Sequence, residues 1–409
     1  MKLIFNFRQT QAWLLAILTG GGSCAGPDPS PDAGPPSTIT GAFDVPLDGL
    51  ASADVARFQD GDGLFDLPFR PADGLGPLFI RTSCGACHAE GARGPGLVQK
   101  MVVVEPDGIT PIADQSALAY GHTVRPGLAA GATTPIAPPG DPRVKLTLRL
   151  GPAVLGRGYL EAILDSEIER VAAEQARRND EIHGRVSRVT FASVPNPDTS
   201  FSRYRTGDVV IGRFGQKARV ATLDDFTADA FQGDMGLTTP MRPVEPANPD
   251  RLTDDLRPGV DLGLGHVDRI TFYLRRIAIP RRVGLDARGE QLFEQLACAA
   301  CHQPTLHTRA DYPIAQLADL DAPVYTDLLL HDMGPALADG MTDGGGPRDW
   351  RTAPLIGLRF LRGFLHDGRA ASVDEAITLH DGEARAAGAA FTALSPDDRA
   401  ALLAFVQAL

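Results

Sequence analysis

The sequence predicts a mainly α-helical fold of two units, the first enlarged by a small β insertion and by long loops. Apolar residues recur at helical spacing in several segments, among them 156–179, 265–280 and 395–409. One cysteine motif, Cys-x-x-Cys-His, occurs in each half of the chain, and a predicted helix leads into the second copy. The chain also holds 44 glycines and 33 prolines among its 409 residues, which indicates long loops.

The first 25 residues have the pattern of an export signal. Two basic residues precede the apolar run 12–18, which is too short to span a bilayer, and small residues follow it. Cys24 stands where a lipoprotein carries its acylated cysteine, so lipidation at Cys24 and ordinary cleavage beside it are both open. Residues 26–40 are rich in proline and predict a tether. We therefore expect an exported protein in the periplasm, or one anchored to the outer membrane through Cys24 alone.

The amino-acid composition argues against one class of partner. The net charge is −12, whereas nucleic-acid binding needs clustered lysine and arginine. An acidic surface suits a basic or neutral protein partner instead. We therefore expect no nucleic-acid partner.

The two cysteine motifs have the spacing of covalent haem attachment. Two thiols three residues apart lie on one side of a helical turn, where they can form thioethers to the vinyl groups of one haem. The histidine that follows, His88 in the first motif and His302 in the second, can then bind the iron. Four cysteines are the predicted attachment sites: Cys84, Cys87, Cys298 and Cys301. The sequence therefore predicts two covalently bound c-type haems.

Two other interpretations of the motifs are weaker. A zinc ribbon would place its two Cys-x-x-Cys pairs about 15 to 20 residues apart, whereas Cys87 and Cys298 are far more widely separated. A redox dithiol of the thioredoxin type would follow a strand in a βαβ unit, and neither motif has that context.

The mature chain is predicted to divide near residue 283. Residues 41–282 hold the first motif, and the alternating pattern within 98–150 predicts strands inserted after it. Residues 283–409 begin with an amphipathic helix and end with a helix whose N-cap is Ser395. Helix, motif, long loops and terminal helix form the layout of a c-type cytochrome domain.

For the second haem, four residues could bind the iron opposite His302: His331, Met333, His366 and His380. His380 follows a predicted helix at 373–379 and a loop that could fold over the haem, so it is the preferred ligand. Met333 is the main alternative. His331 and His366 are more typical of structural histidines bonded to the backbone.

For the first haem, no residue before 283 stands in a compelling context for a second ligand. The candidates are His122, His183, His266, Met101, Met235 and Met241. This scarcity favours an iron with one open coordination position, which a catalyst needs and an electron carrier does not. Asp234, in a Gly-Asp-Met-Gly segment, is then a candidate acid/base group for peroxide, and a loop-capping aspartate is the alternative.

Several segments, in order along the chain, resemble the di-haem oxidoreductase family, also labelled thiol oxidoreductases or di-haem peroxidases. Among them are AFQGDMGLTTP, LACAACHQPTL, YTDLLLHDMGPALADG and FLHDGRAASVDEAITLHDGEA. The similarity runs from about residue 45 to the C-terminus. The family is related to the di-haem cytochrome c peroxidases and to the di-haem enzyme that matures methylamine dehydrogenase.

The resemblance implies two cytochrome c-like domains whose haems face a shared interface, with peroxide reacting at the N-terminal haem and electrons entering at the C-terminal haem. It implies that His380 is the second axial ligand of the C-terminal haem. It also places Asp234 and Met235 where the peroxidases carry a Glu-Met pair, whose Glu assists peroxide cleavage.

The sequence departs from the family at two places. Gln216 stands where the family commonly has a tryptophan that is thought to relay electrons between the haems, and Trp350 is the only tryptophan outside the signal. The acidic loop of the family is thinned at 179–187, which argues against a calcium site there.

Three hypotheses of function remain open. The first is a cytochrome c peroxidase-like oxidoreductase that reduces hydrogen peroxide at the haem of His88. Its electrons would come from a small redox protein, a c-type cytochrome or a cupredoxin, through the haem of His302. The alternatives are a non-catalytic di-haem electron-transfer cytochrome and a di-haem oxidase that modifies a side chain of a partner protein.

Overall fold

Helices supply most of the regular structure in the computed structural model, which describes residues 44–89, 96–253 and 259–409. About 32% of the described residues are helical and 14% are in strands, so the prediction of a mainly α-helical fold is confirmed. The predicted signal, Cys24 and the tether at 26–40 lie outside the described residues. Within the described ranges, no helix has the length and hydropathy of a membrane span.

The helices follow one another through both predicted units. They are α1 (Ser52–Asp66), α2 (Arg157–Ala162), α3 (Asp165–Gln175), α4 (Leu223–Met235), α5 (Leu264–Arg276), α6 (Ala287–Gln295), α7 (Val373–Thr378), α8 (Arg385–Thr392) and α9 (Pro396–Ala408). As predicted, the Ser395 side chain caps α9 by accepting a hydrogen bond from Asp398 N.

The strands are short and pair in twos. They are β1 (Leu78–Phe79), β2 (Leu97–Val103), β3 (Gly127–Leu128), β4 (Val144–Leu150), β5 (Arg188–Thr190), β6 (Val209–Ile211), β7 (Leu306–His307), β8 (Asp321–Ala322), β9 (Leu330–Asp332) and β10 (Asp349–Arg351). The antiparallel pairs are β1–β3, β2–β4, β5–β6, β7–β8 and β9–β10.

The predicted β insertion is present as the β2–β4 ribbon. Its seven-residue register runs from Leu97 opposite Leu150 to Val103 opposite Val144. Alternate residues of β2 face opposite ways, so Met101 and Val103 are buried in one apolar cluster while Val102 packs in another. The ribbon therefore packs against the rest of the chain on both faces.

The predicted helix at 156–179 is wrong as one continuous element. The chain is extended at Ile163 and Leu164, between α2 and α3. Ile163 forms a β-bridge with Thr308, and Leu164 N donates to His307 O at 3.1 Å. This pairing with a distant strand outweighs the local helical preference of the segment.

Helix α4 positions the candidate acid Asp234. It begins at Thr222, whose side chain accepts a hydrogen bond from Asp225 N, and it ends at Gly236, whose φ of 67° lies in the left-handed region. A Cβ at Gly236 would lie 2.7 Å from the carbonyl oxygens of Gly76 and Leu78, so only glycine fits this turn. Asp234 is thereby held at the end of the helix.

We expect Thr222→Ala to lower the free energy of unfolding by about 1 kcal/mol, because Asp225 N would lose its acceptor at a buried helix start. Urea unfolding of the haem-loaded protein measures the change. Thr392→Ala, which removes an exposed hydroxyl inside α8, is the matched control and should change stability by less than about 0.5 kcal/mol. Equal urea midpoints for Thr222→Ala and the wild type would contradict a stabilising role of the Thr222 cap.

Two apolar clusters dominate the interior. The larger cluster contains buried residues from each of the helices α1 through α5. It also contains residues that follow position 283, such as Leu306, Leu317 and Leu329. The smaller lies between α6 and α9 and includes Phe293 and Phe405. Residues on both sides of position 283 thus share the larger cluster, and the domain boundary there stays a prediction.

Candidate functional site

The first motif forms one tight turn after α1. Cys87 N and His88 N both donate to Cys84 O, each at 3.0 Å. Burial raises the pKa of Cys84 to about 12 and that of Cys87 to about 11, and the charge of Asp234 adds to both shifts. Protonated thiols of this kind do not suit a reactive dithiol, which needs a lowered pKa.

The His88 side chain is oriented as an iron ligand requires. Its Nδ1 lies 2.7 Å from Pro152 O, so Nδ1–H donates to that carbonyl and the lone pair stays on Nε2. Burial lowers the pKa of His88 to about 4, which keeps the imidazole neutral. A neutral imidazole with a fixed tautomer is the form that binds a metal.

The lining of the pocket beside His88 has the chemistry that a haem requires. The space between its walls, open solvent at the mouth included, amounts to about 860 Å³. Apolar side chains line it, among them Phe65, Phe214, Phe226, Phe231, Ile270 and Leu274. Three arginines also line it, and guanidinium groups can pair with the propionate carboxylates of a haem: Arg81, Arg157 and Arg351.

Asp234 and Met235 line the same pocket as His88. Burial raises the pKa of the Asp234 carboxyl, and the positive charge of Lys100 opposes this shift. Of the six candidates for a second ligand to the first haem, only Met235 is among the described residues that line the pocket. His122, by contrast, lies near the β2–β4 ribbon, where its Nδ1 contacts Met101 O at 2.9 Å.

The second motif repeats the arrangement of the first. It follows α6, and His302 N donates to Cys298 O at 2.9 Å, again in one turn. His302 Nδ1 lies 3.1 Å from Tyr325 O, which leaves Nε2 as the nitrogen for iron. Burial, followed by the nearby charge of His380, lowers the pKa of His302 to about 4.

His380 has the geometry expected of a second ligand. It lies just beyond α7, and its Nδ1 is 2.7 Å from Ala376 O, so its Nε2 is also left for a metal. Burial lowers the pKa of His380. Because its charge acts on His302, the two rings lie within electrostatic reach of each other. The structure thus brings together the two histidines that the sequence paired at the second haem, and the ligand role of His380 stays a prediction.

Two of the alternative ligands to the second haem, His331 and His366, make contacts with other side chains. His331 has one ring nitrogen 2.9 Å from Asp327 Oδ2 and the other 2.7 Å from Glu383 Oε2. The predicted backbone bonding of His331 is therefore wrong, because carboxylates take both nitrogens. His366 stacks on Trp350 with ring centroids 3.8 Å apart, and this contact too involves a side chain instead of the backbone.

Both carboxylates beside His331 raise the pKa of its ring. Burial lowers the pKa of His331, but hydrogen bonds with Asp327, Cys301 and Glu383 raise it well above its ordinary value. Cys301 Sγ, Asp327 and His331 lie close enough to share a metal ion. A thioether at Cys301 would remove the thiolate from that set, so the group does not fit a metal site in a haem-loaded chain.

Gln216 joins β4 to two later segments of the chain. Its side-chain Nε2 donates to Leu150 O at 2.9 Å and to His366 O at 2.8 Å, and its backbone carbonyl accepts from Arg351 N at 2.9 Å. Neighbouring Arg351 lines the first pocket. Trp350 stacks on His366 and precedes Arg351, so two of the three residues bonded to Gln216 adjoin this tryptophan, an arrangement that the sequence did not predict.

The chain matches one family model and is weakly similar to two solved structures. A family model described as "Di-haem oxidoreductase, putative peroxidase" matches residues 140–409. Hydrazine synthase from Kuenenia stuttgartiensis, in a crystal pressurised with xenon, has a TM-score of 0.40 and 13% identity over 98% of this chain and 100% of that one. A variant of the di-haem peroxidase BthA from Burkholderia thailandensis has a TM-score of 0.34 and 15% identity over 80% of this chain and 71% of that one.

Both structural similarities are too low to support an argument about activity. No curated protein matches the chain at a significant level. The family match rests on sequence and spans more than half of the chain, including the second motif and Asp234. The chain therefore belongs to the di-haem oxidoreductase family.

Proposed function

We propose that the protein is an exported di-haem c-type oxidoreductase that reduces hydrogen peroxide at the haem of the first motif. Electrons enter through the haem of the second motif from a c-type cytochrome or a cupredoxin. The observation that carries the proposal is the placement of Asp234 in the pocket of His88. A proton-exchanging carboxyl beside an iron site is what peroxide cleavage requires.

The chain would hold both haems through the residues of its two motifs. Cys84 and Cys87 would bind the first haem and Cys298 and Cys301 the second, all as thioethers, and all four are free cysteines in the structure. When bound, a haem supplies the iron that accepts and donates electrons during cleavage of the peroxide O–O bond. His88 and His302 would bind the two irons through Nε2.

Asp234 would move the proton during cleavage. Its carboxylate can take the proton from one peroxide oxygen and deliver it to the other, which then leaves as water. The raised pKa of Asp234 favours this role, because the group then exchanges protons closer to neutral pH. The apolar wall of Phe226 and Phe231 would limit water around the carboxyl.

The second haem would take in electrons. His302 and His380 would both bind its iron, and an iron with two protein ligands would suit electron transfer better than substrate binding. Entry of electrons from a periplasmic protein agrees with the export signal predicted at 1–25. Cys24 would provide the membrane attachment if it is acylated.

One observation favours the alternative of a non-catalytic electron carrier. Met235 lies in the first pocket next to Asp234, and a methionine sulfur can complete the coordination of a haem iron. In that case both haems would be six-coordinate and peroxide would not react.

A spectrum of the half-reduced protein separates these two functions. We expect one high-spin haem, assigned to the first motif, and rapid reaction with hydrogen peroxide. Met235→Leu should leave that high-spin signal unchanged, and Met241→Leu, a buried methionine in the core, is the matched control. Two low-spin haems in the wild type, one of which becomes high-spin in Met235→Leu, would establish the electron carrier instead.

A further inference from the structure

A chain of buried side chains begins at the second motif. Gln175, at the end of α3, donates through Nε2 to Ala300 O at 2.8 Å and to Asp327 Oδ2 at 2.8 Å. Asp327 Oδ2 also accepts from His331 Nε2 at 2.9 Å. Gln175, Asp327 and His331 are at most 3% exposed, so these contacts are shielded from water.

The chain ends at the loop that carries His380. His331 Nδ1 donates to Glu383 Oε2 at 2.7 Å, and Glu383 lies three residues after His380. Two backbone groups also donate to this carboxylate, His183 N at 2.9 Å and Asp332 N at 3.0 Å. Glu383 thus ties the loop after His380 to two other segments of the protein, β9 and the loop at His183.

We call this set, Gln175, Asp327, His331 and Glu383, the clasp. Its central ring faces a carboxylate oxygen at each nitrogen, and since such oxygens only accept, both nitrogens donate. Buried charges persist only where they are paired and hydrogen-bonded, and removing one partner leaves the other uncompensated. Loss of one member therefore weakens the hydrogen bonds of the others.

We propose that the clasp is a positioning device that keeps His380 on the iron of the second haem. Glu383 fixes the loop of His380, and His331 fixes Glu383 by anchoring it to Asp327 and, through Gln175, to the second motif. The proposal rests on the assignment of His380 as a ligand in the proposed function. Because Gln175 belongs to α3, ligation at the second haem also depends on the first predicted unit.

Gly184 offers a way to disturb the clasp without changing its charges. A Cβ on Gly184 would lie 2.6 Å from His331 Cε1, 2.7 Å from His331 Nε2 and 2.5 Å from Gln175 Oε1. Such contacts are shorter than van der Waals separation, so Gly184→Ala would have to push the imidazole or the amide aside.

The first test replaces Glu383 by Gln in the haem-loaded protein. We expect the second haem to lose most of its low-spin signal in electron paramagnetic resonance and absorption spectra, with two covalent haems still present per chain. Glu375→Gln, an exposed carboxylate on α7 that accepts from Ala371 N, is the matched control and should keep the wild-type spectrum. Added imidazole should restore the low-spin signal of Glu383→Gln, which shows that the iron site itself is intact.

The second test uses Gly184→Ala, with Gly265→Ala on α5 as its control, since a Cβ on Gly265 meets nothing within 4 Å. We expect Gly184→Ala to lose part of the low-spin signal and Gly265→Ala to lose none. Wild-type spectra in both Glu383→Gln and Gly184→Ala, with full haem content, would overturn the clasp.

His380→Gly gives the reference spectrum of an unligated second haem. If its spectrum equals that of the wild type, His380 is not a ligand and the clasp proposal fails with that assignment. Peroxide turnover reports on the proposed function alone. A protein that does not reduce peroxide, and yet loses low-spin signal in Glu383→Gln, would support the clasp and contradict the peroxidase.

Discussion

Replacing Asp234 by Asn is expected to slow peroxide reduction by about two to four orders of magnitude, the usual contribution of a positioned acid/base group. An amide has nearly the shape of the carboxyl but cannot exchange the proton. Asp234 lies in the pocket of His88, and burial raises its pKa, so it is the described carboxyl placed to act there. Stopped-flow mixing of the half-reduced protein with peroxide measures the rate.

Two further variants show whether the loss reflects proton transfer. Asp234→Glu restores the residue type that the resemblance places here in the peroxidases, so part of the rate should return. Asp250→Asn removes an exposed carboxylate that accepts from Thr133 and Thr134, and it should react like the wild type. A rate in Asp234→Asn equal to that of the wild type, with both haems bound, would leave Asp234 only a capping role.

Changing Cys298 and Cys301 together to alanine is expected to remove one of two covalent haems from each chain. A thioether forms only at a thiol, and these two are the thiols of the second motif. The mass of the denatured chain and its haem absorbance measure the loss. The remaining spectrum should be that of the high-spin first haem.

The other cysteines provide the controls. Changing Cys84 and Cys87 to alanine should remove the other haem and leave the low-spin spectrum of the second. Cys24→Ala should keep both haems, and it separately shows whether membrane attachment depends on that residue. Two covalent haems in the double variant at 298 and 301 would contradict attachment at the second motif.

Local signals were sufficient to predict the turn that each motif forms, and covalent haem attachment there stays a prediction. Cys-x-x-Cys-His is contained within five residues, and the structure folds each copy into one turn with the histidine Nδ1 bonded to a carbonyl. The cap at Ser395 and the alternation of β4 are local in the same sense. The position of His380 after a predicted helix already made it the preferred partner of His302, and the resemblance supported that choice. Preferring Asp234 as the acid/base group of the first haem over a capping aspartate needed the family resemblance, because distance in the sequence carries no geometric information.

The contacts that prediction missed all join distant parts of the chain. Glu383 and His331 are separated by 52 positions, and neither lies in a pattern that points to the other. The stacking of Trp350 on His366 depends on how the β9–β10 pair packs, which periodicity does not show. The break between α2 and α3 also results from a contact between distant residues, because Ile163 pairs with Thr308, which follows the second motif.

The bridge between Ile163 and Thr308 makes the folding of the two predicted units interdependent. The corner between α2 and α3 can close only after the chain has been synthesised past the second motif. The larger apolar cluster also needs Leu306 and Leu317 from that later part. A fragment ending at residue 282 would leave this corner unbridged and apolar surface in water. The first predicted unit therefore depends on residues beyond 283 to cover its apolar surface and to complete the corner between α2 and α3.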